Sequence, residues 1–252
     1  AGAGIGASLQ LERARGAHPD IAVDGVRAVL RILIVFGLVT PFWSLFDQKA
    51  STWIVQANAM STEVNLLGWT FEVIPAQMQA LNPLLVMILI PFNNLVLFPL
   101  LTKVGLIPTA LRRMTAGIAF SALAWIVVGN LQVQLDAGDA VSIAWQILPY
   151  ALLTLGEVLV SATGLEFAYS QAPASMKGVI MALWYLAVTV GNLWVLIVNA
   201  GVKNEAVIAH IESSGVGVMA FQMYFFAGFA LLAALVFGLY AKRYKMVDHY
   251  RG

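Results

Sequence analysis

Glu157 is a carboxylate in the middle of an apolar run, VSIAWQILPYALLTLGEVLVSATGLEF, residues 141–167, with no Lys or Arg near it in sequence. Placing an acid at the centre of a membrane span costs about 2.5 kcal/mol or more, so such a residue marks a functional site by default. Tyr150, Thr154, Glu157, Ser161 and Gly164 follow one another at spacings of 4, 3, 4 and 3. On a helix that spacing draws one polar stripe along one face. A stripe crossing hydrocarbon must face other protein or a water-filled cavity. A carboxyl there, with no cation at hand, favours its neutral form and can exchange a proton when a cationic ligand arrives. The alternative is a neutral Glu that hydrogen-bonds a neighbouring helix and does nothing more.

Other polar groups sit in apolar surroundings. Trp43 and Asp47, in PFWSLFDQ (41–48), are four apart and share a helix face. Asp47 lies near the end of its run, so a solvated loop acid is the alternative. Asn82 and Asn93 are eleven apart, three helical turns, and share a face. Pro91 between them predicts a kink, and interrupted helices are where transporters build binding sites. Asn residues also glue helices together, which is the competing reading. Trp184, Gly191 and Asn192 fall near one face of a further run, where Trp184 either walls a pocket or packs in a core. Glu166 and Lys177 flank a short turn and are spaced to pair. No catalytic set is visible, so the reading is not an enzyme. Ser161 has no intramembrane His, because His18, His210 and His249 fall in loops or tails. There is no HExxH motif, no phosphate-cradling glycine loop and no metal site.

The elements that must position these groups are membrane helices. The chain has 252 residues, 60% hydrophobic and only 11% charged, with a mean hydropathy of +0.83. A soluble domain carries about 25% charged residues. A net charge of +1 gives no case for nucleic acid. With no cysteine, disulfides and thiolate chemistry are excluded. Six runs approach the ~20 apolar residues a span needs: 27–47, 81–103, 112–132, 141–167, 178–200 and 217–241. The sequence predicts a linker over 1–25, where no helical periodicity shows, a bundle over 26–245 and a tail over 246–252. The chain begins at Ala1 with no targeting signal, and reads as a piece of something longer. With the N-terminus cytoplasmic, twelve of the fourteen Lys and Arg fall inside, and only Lys49 and Lys203 fall outside. The positive-inside rule then predicts a multi-pass protein of the inner cell membrane with both ends of this segment cytoplasmic. Residues 48–80 form the longest outer loop, with Trp53 and Trp69 expected as interface aromatics.

GEVLVSATGLEFAYSQAPASMK (156–177), followed by WYLAVTVGN (184–192), resembles the proton-coupled oligopeptide transporter family of the major facilitator superfamily. PFWSLFDQKASTW (41–53) is similar to that family's seventh helix and ALNPLLVMILIPFNNLVLFPLL (80–101) to its eighth. The resemblance implies an all-α membrane protein whose six spans are the C-terminal bundle of a twelve-helix fold. It implies that Glu157 receives a peptide's N-terminal amine with Asn82 beside it. Ser161 and Tyr150 would lie near the ligand, and Trp43 and Trp184 would wall side-chain pockets. Asp47, with Glu157, would serve proton coupling or gating, and Glu166 and Lys177 a cytoplasmic gate. One departure is Asn94, an acid in some members, which cannot pair here with Arg31. The implied activity is symport of di- and tripeptides with protons by alternating access. The proton is the coupling ion, no cofactor is needed, and the partners are the lipid bilayer and a missing N-terminal six-helix bundle. The rivals are a same-fold carrier of nitrate or a drug-like zwitterion, and a structural membrane subunit.

Overall fold

The computed structural model describes residues 2–66, 68–171 and 174–244. The tail expected over 246–252, with His249, lies outside the described residues. Six helical stretches are long and apolar enough to cross a membrane: Asp20–Asn58, Pro75–Lys103, Ala110–Asp136, Ile143–Gln171, Lys177–Val202 and Val218–Arg243. Each contains one of the six runs expected from the sequence to within two or three residues, and most extend past it.

The segment 1–25 is not irregular. Helix α1 covers Gly2–Ala14, and α2 runs Asp20–Phe46, starting seven residues before the expected span. Charge does here what apolar periodicity does elsewhere. The Arg15 guanidinium donates to Glu12 at 2.9 Å, Asp20 at 3.2 Å and Asp24 at 2.6 Å, and Arg27 donates to Glu12. Arg27 and Arg15 together hold the Glu12 carboxyl below the usual carboxylate range. Pro19 caps α2 with a φ already fixed, and Asp20 in the first turn meets the positive end of the helix dipole.

The stretch over 48–80 also carries structure. A 3₁₀ turn, Asp47–Ala50, leads to α3 (Thr52–Asn58). Strand β1 (Glu63–Leu66) then pairs antiparallel with β2 (Trp69–Glu72), in register Val64 to Phe71 and Leu66 to Trp69. Gly68, at φ +86°, supplies the left-handed residue that this tight turn requires. The expectation that both tryptophans of this stretch are interface rings fails for Trp53. Trp69 is 80% exposed, but Trp53 is fully buried, edge-on to Tyr150 at 5.0 Å and 5.9 Å from Trp125. Amides lock α3 down: Gln56 Nε2 donates to Val128 O at 2.9 Å, and Gln146 Nε2 donates to Trp53 O at 3.0 Å.

The second span is broken. α4 (Leu81–Phe92) gives way to a π turn, Asn93–Leu97, and then to α5 (Phe98–Lys103). Pro91 has no N–H to give the Met87 carbonyl, so the regular ladder fails there and resumes through the wider turn. α6 (Ala110–Asp136) is continuous. The fourth span is α7 (Ile147–Glu157), a π turn Val158–Ala162, and α8 (Thr163–Gln171). α9 (Lys177–Val202), the short α10 (Glu205–Ser213) and α11 (Val218–Arg243) complete the chain.

α6 is the centre of the bundle, packed on α11 and α7, while α2 packs on α9 and α11. α6 meets α7 at two glycines. A Cβ on Gly156 would lie 2.7 Å from the Gly117 carbonyl oxygen and 2.4 Å from Ser121 Oγ. Only hydrogen atoms fit between these backbones. The Pro75–Lys103 stretch touches the bundle mainly through α7 and leaves 94% of its apolar window unburied, the most of any span.

Candidate functional site

The side of α7 that faces α4 carries the stripe seen in the sequence, and its partners are now defined. Asn82, in the first turn of α4, donates through Nδ2 to Glu157 Oε2 at 2.6 Å and to Thr154 Oγ1 at 3.1 Å. Glu157 is the last residue of α7, and the π turn Val158–Ala162 begins immediately after it. Such turns are rare and gather at functional sites. Among the described residues, Asn82 is the one donor that reaches Glu157 within hydrogen-bond distance. A carboxylate held on one oxygen keeps acceptor capacity for an ammonium group.

Tyr150, two turns from Glu157 toward the N-terminus of α7, is buried. Its hydroxyl accepts from Gln79 Nε2 at 2.8 Å, and the same amide reaches Lys49 O at 2.7 Å. Ser161 is half-buried within the π turn. Gly164 is not a polar lining position. It seats Trp184, and a Cβ there would lie 2.8 Å from Trp184 Cη2.

The two tryptophans meet each other. Trp43 on α2 and Trp184 on α9 stand edge to face at 5.6 Å, and are 8% and 4% exposed. Gly191 allows this, because a Cβ there would come within 2.9 Å of both Thr40 O and Trp43 Cβ. In this structure both rings are buried at the α2–α9 contact.

Asp47 sits where α2 ends. Its Oδ2 accepts from Asn192 Nδ2 of α9 at 2.7 Å, so the acid is bound across helices and is not a free loop acid. Lys49, two residues on, stands over the Phe46 ring at 3.1 Å from its centroid. It lies within electrostatic reach of both Glu157 and Asp47. That corrects the premise that no cation approaches Glu157. Asn93 is buried while Asn94 is exposed, so the π turn separates two residues adjacent in sequence. Glu166 is exposed in the first turn of α8, and Lys177 Nζ lies 5.7 Å from the Tyr169 ring centroid.

Sequence reasoning missed Gln79 and Lys49. Gln79 precedes Asn82 by three residues, a one-turn spacing that shares its face once the helical stretch is extended back to Pro75. Lys49 follows Asp47 by two and was assigned to the outer loop by charge count alone. Asn192 is visible as a polar residue within an apolar run, but nothing in the sequence joins it to Asp47.

A bundle of six spans, two of them interrupted by π turns, one directly beside a half-buried acid–amide pair, is the build of a secondary transporter half. The chain belongs to the POT family, whose profile matches residues 11–213. It is 35% identical over 126 residues to solute carrier family 15 member 1 of the rabbit, Oryctolagus cuniculus, which covers 50% of this chain and 17% of that protein. Among solved structures it is similar to an auto-inhibited POT family peptide transporter. The TM-score is 0.90 and the identity 66%, over 97% of this chain and 46% of that one. It also shares the fold of a POT family transporter solved with a thioalcohol-conjugated peptide, at TM-score 0.69 and 21% identity, over 95% of this chain and 46% of that one. The chain thus spans about half the length of the solved transporters it matches, and less of its curated relative. The six-helix major facilitator architecture expected from the resemblance is met.

Proposed function

We propose that this chain is the C-terminal half of a proton-coupled symporter of di- and tripeptides, working by alternating access between two six-helix bundles. The observation that carries the reading is the Asn82–Glu157 pair. A short peptide is a zwitterion, and an acid with spare acceptor capacity, held by an amide on a facing helix, suits its ammonium end. Cations on the partnering N-terminal bundle would take the carboxylate. The unburied faces of α4 and α5 suit contact with that bundle or with lipid. Lys49, within reach of both Glu157 and Asp47, supplies a counter-charge that an arriving peptide amine or proton would displace. The coupling ion is the proton, with Asp47 and Glu157 as its carriers and no cofactor. Peptide and proton affinities then shift each other by the same factor. The charge distribution supports an inner-membrane location with both ends of this segment cytoplasmic. Glu166 and Lys177 would close the cytoplasmic side. A nitrate carrier offers no amine for Glu157 to meet, and a purely structural subunit would tolerate its loss.

The test is uptake of labelled dialanine into proteoliposomes by the full transporter carrying this segment. It is run with and without an inward proton gradient, for wild type and Glu157→Gln. The reading expects gradient-driven uptake that the substitution abolishes without loss of folding. A well-folded wild type that takes up no dialanine would overturn the peptide assignment.

A further inference from the structure

Two grooves open at the basic end of the bundle, on either side of the start of α6. The first, of about 700 Å³, runs between α6 and α11 and is lined by Thr115, Ala119, Gly238 and Ala241, with Arg112 and Lys242 at its mouth. The second, of about 510 Å³, lies between α5 and α6 and is lined by Leu97, Leu101, Phe120 and Leu159, with Arg112 and Arg113. Arg112 lines both. α6 and α11 run antiparallel, so the first turn of α6 and the last turn of α11 put Arg112 and Lys242 at one level. Ala119, seven residues further along α6, is about 10 Å deeper. Each groove is therefore an apolar channel with its cations at one end.

Arg113 is engaged, donating to Pro108 O at 2.6 Å and standing 4.2 Å from the Phe98 ring centroid. Arg112 and Lys242 form no ion pair among the described residues. Arg112 is exposed and donates one hydrogen bond, to Ile107 O at 3.0 Å. Neither groove has an Asp or Glu in its lining. The neighbouring surface of α11 is apolar, with Leu235 67% and Leu239 63% exposed.

We propose that this end of the bundle binds an anionic phospholipid, with its phosphate between Arg112 and Lys242 and its acyl chains in the two grooves. The apolar depth selects a lipid over a soluble phosphate, which would leave those walls unmatched. The absence of acidic lining selects an anionic headgroup over ethanolamine, whose ammonium finds no acceptor carboxylate. Basic pockets between helices at a membrane interface are suited to such headgroups. The inference rests on the helices being membrane spans and not on peptide transport.

The experiment is native mass spectrometry of the delipidated full transporter. It is titrated with phosphatidylglycerol and with phosphatidylethanolamine of matched chains. The proposal expects at least tenfold tighter binding of phosphatidylglycerol. Arg112→Gln with Lys242→Gln should weaken it by about thirtyfold, while Arg243→Gln, at the same end but outside both grooves, should leave it unchanged. Ala119→Leu, which fills the first groove and keeps both charges, should also weaken binding, and serves if the double variant does not fold. Equal binding of the two lipids, wild-type affinity in the double variant or in Ala119→Leu, or displacement by equimolar glycerol 3-phosphate would each overturn it.

Discussion

Replacing Gly156 by Ala tests how Glu157 is held in place. α6 and α7 touch through backbone at this level, and an added Cβ would sit 2.7 Å from the Gly117 carbonyl oxygen. Carbon–oxygen contacts close to about 3.3 Å, so the helices must part by about 0.6 Å. Ser121 Oγ, 2.4 Å from the same Cβ, can turn aside only by giving up its 2.9 Å hydrogen bond to Gly117 O. Overpacking of this kind costs about 1–3 kcal/mol. The assay is thermal or denaturant unfolding of the purified transporter, with Gly117→Ala and the double variant alongside. Both substitutions open the same crossing, so the double variant should lose less than the two singles added together. Gly228→Ala on α11, where nothing lies within 4 Å of the new Cβ, should be neutral or stabilising by up to about 1 kcal/mol, since Ala is the better helix former. A Gly156→Ala protein as stable as wild type, or strict additivity with Gly117→Ala, would refute the claim that this contact positions the acid.

Asn82→Ala removes the 2.6 Å bond to Glu157 and should raise the KM for dialanine by about tenfold, near 1.4 kcal/mol, at unchanged expression. Kinetics of uptake would check this, and an unchanged KM would show that Asn82 does not orient the acid. Asn192→Ala breaks the 2.7 Å link to Asp47. A stability cycle with Asp47→Asn should give a coupling of about 0.6 kcal/mol, the usual scale for such bonds between membrane helices. Zero coupling would mean that the bond does not tie α2 to α9.

The spans were legible because hydropathy is a long-range, redundant signal, and the fourth span's stripe was legible because period 3.6 survives as far as Glu157. The π turns were not, because the sequence reports a lost donor at Pro91 but not how the ladder heals. α1 was missed because Glu12, Arg15, Asp24 and Arg27 stabilise it through charges that have no period. The β1–β2 hairpin was missed because its strands are four residues each and β2 is exposed on both faces. Trp53 reads as an interface ring in a loop, and only the fold of α3 onto α6 buries it. For the site, Asn82 and Glu157 were each visible in their own motifs. The approach of Lys49, and the bond between Asp47 and Asn192, depend on three-dimensional closure that no local pattern encodes.

The central claim is that Glu157 receives a peptide amine. The direct measurement is competition for labelled dialanine bound to the purified full transporter, by dialanine and by N-acetyl-dialanine, in wild type and Glu157→Gln. Removing one partner of a desolvated charge pair costs at least 2 kcal/mol, about thirtyfold. The account predicts that acetylation weakens competition by about that much in wild type, and that the gap closes to a few-fold in Glu157→Gln. The same acetylation penalty in both proteins would contradict it.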